Sequence, residues 1–107
     1  MKIEILNEYI DAIILNILKK KESNGYSIIK TIFDKFNNKN EIKKELIYLA
    51  FKRIEKMNLI NSYWIDDEFG NRVKIYSITN EGKVYLKNKK KEWNDNKTIL
   101  DKLLGEK

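Results

Sequence analysis

Apolar residues at Ile10, Ile13, Ile14, Ile17 and Leu18, with Asp11, Asn16 and Lys19 between them, recur at the spacing of one helical face. They predict a first amphipathic helix from about Asn7 to Lys20. Ser23-Asn24-Gly25 then supplies cap and turn chemistry, and Tyr26, Ile29, Ile32, Phe33 and Phe36 set an apolar stripe on a second helix. The polar run Asn37-Asn38-Lys39-Asn40 is expected to end it. A third helix, from about Ile42 to Asn58, turns Ile47, Ala50, Phe51, Ile54 and Met57 inward and Lys44, Glu45, Tyr48, Lys52 and Glu55 outward.

Beyond it the period changes. Leu59 to Ile65 and Val73 to Ile78 alternate or carry β-branched and aromatic residues, and Phe69-Gly70-Asn71 between them makes a turn, so the pair reads as a hairpin with an acidic loop at Asp66, Asp67 and Glu68. Thr79-Asn80-Glu81 caps a fourth helix that runs to about Leu104, roughly 35 Å at the standard rise and uninterrupted by proline. A helix of that length outruns a domain of this size. Leu86, Trp93 and Leu100 are spaced by sevens, with Leu103 and Leu104 following, which suits packing against the same helix of a second copy.

The 107 residues suffice for one compact unit, divided in function between residues 1–78 and the terminal helix, residues 79–107. With 42% hydrophobic and 36% charged residues the composition is globular with a heavily solvated surface. The absence of Cys and His removes disulfides, thiolate or imidazole metal sites and the Ser-His and Cys-His nucleophile systems. No phosphate loop is present either, so neither an enzyme nor a cofactor or metal is expected. The longest apolar run without tyrosine is Ala12 to Leu15, and the first twenty residues carry Glu4, Glu8 and Asp11, so neither a membrane span nor a signal peptide is expected and the protein is assigned to the cytoplasm.

Charge narrows the partners. The net charge is +6, and half of it sits in Lys39 to Lys56, where Lys39, Lys43, Lys44, Lys52, Arg53 and Lys56 stand against Glu41, Glu45 and Glu55. Lys44, Tyr48 and Lys52 share one helical face, a donor-aromatic-donor strip able to hold phosphates and touch base edges of double-stranded DNA, while Arg72 and Lys74 on the hairpin suit the backbone or minor groove. Taken alone, that segment reads first as a solvated amphipathic helix, and Lys87, Lys89, Lys90 and Lys91 read as solvated surface. The order of elements is what favours DNA: three helices, a hairpin and a long terminal helix form a winged helix-turn-helix, an α+β fold that is mostly α.

Three segments carry a resemblance. Asn24-Gly25-Tyr26-Ser27-Ile28-Ile29-Lys30 opens the second helix; Ile47 to Lys56, then Leu59-Ile60 and Ser62-Tyr63-Trp64, cover the third helix and first wing strand; Arg72-Val73-Lys74-Ile75-Tyr76-Ser77-Ile78-Thr79-Asn80-Glu81-Gly82 covers the second strand and the next helix start. From about Ala12 to Leu104 the chain resembles the PadR family of transcriptional regulators, in its compact, multidrug-sensor-like form. The resemblance implies a DNA-binding homodimer acting as a repressor. The chain departs from the family at Lys43-Lys44-Glu45-Leu46, where members carry small residues like Ser-Pro-Gly-Thr, so the family's operator sequence does not transfer.

The expected DNA-contacting set is therefore Asn24, Tyr26, Lys43, Lys44, Tyr48, Lys52, Arg72 and Lys74, and the expected dimer interface or ligand pocket is Ile10, Ile14, Leu86, Trp93, Leu100 and Leu103. For Trp93 two roles stand open: dimer packing, or the pocket in which multidrug-sensing members stack a planar aromatic effector, with Lys97 one turn on disfavouring a cation. Two other functions fit the same fold. A plasmid or phage protein for partition or transfer would spread over iterated sites, and an interaction module that has lost DNA binding would fit the altered start of the third helix and the acidic wing.

Overall fold

The computed structural model describes residues 3–36 and 43–105. The elements are α1 (Ile3–Lys20), β1 (Ser23–Asn24), α2 (Gly25–Lys35), α3 (Lys44–Lys56), β2 (Ile60–Asp66), β3 (Arg72–Ile78) and α4 (Asn80–Leu103). This is the mostly helical winged-helix order read from the sequence. The run Asn37–Asn40 and the start of the third helix at Ile42 lie outside the described residues. None of the described helices is long and apolar enough to cross a membrane.

The core forms where the apolar stripes of α1, α2 and α3 converge. Ile14, Leu15, Ile28, Ile47, Phe51, Ile54 and Ile60 are fully buried, each side chain contributing roughly 1.5–3 kcal/mol by leaving water. Two residues expected inside lie outside. Met57 is 47% exposed because the third helix ends at Lys56, and Tyr26 is 73% exposed because Ile28, Ile29 and Ile32 form the buried stripe of α2. The first helix begins at Ile3, four residues before the expected start.

The hairpin pairs Ile60↔Ile78 through Asp66↔Arg72 without a bulge, and the sheet has a third strand that periodicity did not predict. Ser23 and Asn24 pair with Tyr76 and Ile75 while the Asn24 side chain accepts a hydrogen bond from the Ser27 N–H at 2.8 Å. One short segment thus ties the wing to the start of α2 and caps that helix.

A second junction sets the course of α4. The Leu59 N–H bonds Ile54 O and the Asn58 N–H bonds Glu55 O, closing α3 with Asn58 in the left-handed conformation at φ 63°. The Thr79 hydroxyl donates to Asn58 O at 2.7 Å and accepts from the Gly82 N–H at 2.9 Å, so the N-cap of α4 is anchored on the end of α3. From there α4 packs on α1 through Leu86, its last buried residue, and every residue from Lys90 to Leu103 is exposed.

Candidate nucleic-acid interface

The inward residues of α3 fix which residues point out. Ile47, Ala50, Phe51 and Ile54 are buried, which turns Lys44, Glu45, Tyr48, Leu49, Lys52 and Lys56 to the surface. Tyr48 is 47% exposed and held edge-on to Phe51, with ring centroids 5.7 Å apart, and Phe51 packs on Tyr76 of β3 at 4.9 Å. The aromatic series positions the Tyr48 hydroxyl relative to the wing. Lys43 is the N-cap of α3 and makes no side-chain cap bond. The Leu46 N–H bonds Lys43 O at 3.0 Å, and the exposed side chains of Lys43 and Lys44 add positive charge to this helix end.

Arg53, counted in the charge of the basic segment Lys39 to Lys56, is engaged within the fold: its guanidinium is bonded to Asp11 of α1 and braces α3 against α1. Glu55 does comparable work on the other side, accepting from the Ser62 hydroxyl of β2 and pairing with Lys74 of β3 at 3.7 Å. Lys74 also lies 5.9 Å from the Trp64 ring and 5.4 Å from the Tyr76 ring, so it is a brace between wing and helix rather than the free cation expected from the sequence. Arg72, 5.1 Å over the Trp64 ring, is exposed and extends the positive surface along the wing.

Asn24 and Tyr26 flank this surface at the start of α2. The Asn24 carbonyl oxygen is used in the cap, which leaves its amide N–H groups to donate, and Tyr26 stands free in solvent. The acidic wing loop is turn machinery: Asp67 accepts from the N–H groups of Asn71 at 2.8 Å and Phe69 at 2.9 Å, bonds that hold its carboxyl below the usual carboxylate range. No group of acidic residues able to hold a metal occurs among the described residues.

Leu49 and Trp64 were missed as parts of this surface. Leu49 is 54% exposed in the middle of the outward face, a position its hydrophobicity conceals, and Trp64 faces Lys74 only through the strand register.

The second expected cluster divides. Ile10 and Ile14, assigned to an interface or pocket, are 6% and 0% exposed and belong to the core of the single chain, where no partner or ligand reaches them. Leu86 and Trp93 instead border a groove of about 710 Å³ between α1, the end of α2 and α4, floored by Ile13, Ile17 and Phe36 and edged by Lys20, Lys35, Lys89 and Lys90. Trp93 is 48% exposed, with the Lys97 ammonium 5.2 Å from its ring, and Leu100 and Leu103 are 53% and 75% exposed further along.

The sequence profile of the transcriptional regulator PadR-like family matches residues 14–88, more than half of the chain. An uncharacterized protein of Lysinibacillus sphaericus is 38% identical over 98 residues, spanning 92% of this chain and 90% of its own. The crystal structure of a PadR family transcription regulator from Clostridium difficile R20291 is similar at a TM-score of 0.78 with 42% identity, covering 91% of this chain and 99% of that one. A transcriptional regulator from Clostridium thermocellum is similar at 0.83 with 37% identity, covering 95% and 96%. The matched span runs from the core of α1 through α3 and the hairpin to Asn88 on α4, and the chain belongs to the PadR-like family of DNA-binding transcriptional regulators.

Proposed function

We propose that the protein is a cytoplasmic, homodimeric, sequence-specific repressor, in which two copies of α3 enter successive major grooves and cover a promoter. The observation that carries the reading is the exposed strip Lys44, Tyr48 and Lys52 on α3, flanked by Tyr26 and Arg72. In this division residues 1–78 bind DNA and residues 79–107 bind the second copy. Dimerisation is supported by Trp93 and Leu100 on α4 and Leu104 at its C-cap, which continue the stripe that Leu86 begins and stand about half or more exposed in the single chain. The groove beside Trp93 would admit a planar aromatic effector, and its lysine edge favours a neutral or anionic one.

Footprinting on the DNA upstream of its own gene, with affinity measured over a range of salt, tests this reading. A palindromic protected site is expected. Lys44→Ala lowers the slope of log affinity against log salt by about 1, and Tyr48→Ala weakens binding while the circular dichroism spectrum is unchanged. Unaltered affinity in both variants counts against this surface, and protection that spreads over iterated sites favours a partition or transfer role.

A further inference from the structure

We infer that Leu49 reads the 5-methyl group of thymine on the floor of the major groove, an inference that rests on the DNA-binding reading of α3. Leu49 is 54% exposed on the side of the helix opposite Ile47, Ala50 and Ile54, so the core has no use for it. The surrounding charges decide what it faces. Glu45 stands one turn before it on the same ridge, and Lys52 and Lys56 follow at three and seven residues, all exposed. A carboxylate is repelled by phosphate but accepts from the exocyclic amines of cytosine or adenine, so the ridge Glu45–Leu49 is directed at base edges and the lysines at the backbone. Arg53, the remaining cation in the turn after Leu49, is held by Asp11 and does not draw the ridge toward a phosphate. A leucine side chain offers no donor or acceptor, and the one base-edge group in the major groove that matches it is the thymine methyl.

The test uses the full chain and a duplex selected from a random pool, with each protected thymine replaced in turn by uracil, which keeps pairing and removes only the methyl. Wild type is expected to lose roughly four-fold in affinity at one thymine per half-site, the effect of one buried methyl. Leu49→Ala is expected to bind thymine and uracil duplexes equally, with salt slope and thermal melt unchanged. Leu49→Gln, which keeps the volume and adds an amide, is expected to shift the preferred base at that position in a repeat selection. A wild type indifferent to every uracil, or a Leu49→Ala protein that still loses the same factor, overturns the inference and leaves DNA binding intact. Failure to select any duplex overturns both.

Discussion

The guanidinium of Arg53 reaches across 42 residues of sequence to the carboxylate of Asp11, its Nε donating to Oδ2 at 3.1 Å and its Nη2 to Oδ1. This fork joins α3 to α1 and takes out of the proposed DNA-facing set a cation that composition alone would count in it. Arg53→Ala leaves Asp11, 14% exposed, without its donor; because the arginine itself is half exposed, a loss of about 1 kcal/mol is expected, a fall in melting temperature of roughly 4–8 °C. The salt slope of DNA binding should stay at the wild-type value, and a slope reduced by a full contact would show Arg53 on the DNA.

Gly82 lies where α4 passes the backbone that leaves α3. A Cβ there would stand 2.1 Å from the Leu59 carbonyl oxygen, and a main-chain atom cannot swing away as a side-chain tip can. Gly82→Ala should cost about 3 kcal/mol, near the upper end for overpacking, and tilt α4 away from the wing. Chemical denaturation measures the first effect, and an unchanged midpoint would mean that the junction yields without cost.

Trp93 carries the proposed dimer. Covering the half of this ring left exposed in the single chain, once in each copy, makes Trp93→Ala weaken association by at least roughly a hundred-fold, for a loss of about 3 kcal/mol. Sedimentation velocity over a concentration series reads that shift. A variant that stays dimeric but no longer binds planar dyes would assign Trp93 to the groove instead.

Acid should loosen the wing loop. The Asp67 carboxyl is held below its ordinary value by the Asn71 and Phe69 N–H groups, so the order it confers is complete above the unfolded value of about 4 and is lost as pH falls through the lowered one. Amide shifts of Gly70 and Asn71 followed from about pH 6 to pH 2 should titrate with a midpoint below 4. A midpoint at or above that value contradicts the hydrogen-bonded loop.

Periodicity located four helices and a hairpin, because burial follows neighbours three and four positions away on an amphipathic helix and alternate residues on a strand. The outward placing of Lys44, Tyr48 and Lys52 came from the same rule, and the Thr79 cap was legible as local chemistry. What the tertiary structure decided was every role that depends on a partner distant in sequence. Ser23 and Asn24 became a strand because β3 offered them an edge, and Ile10 and Ile14 were drawn into the core because α1 is covered on more than one side. Arg53 and Lys74 are two cations no different in composition from Lys44 and Lys52, yet both are spent as internal braces because Asp11 and Glu55 stand opposite them. Charge is a property of the residue, whereas its availability to DNA depends on which carboxylates the fold brings within reach.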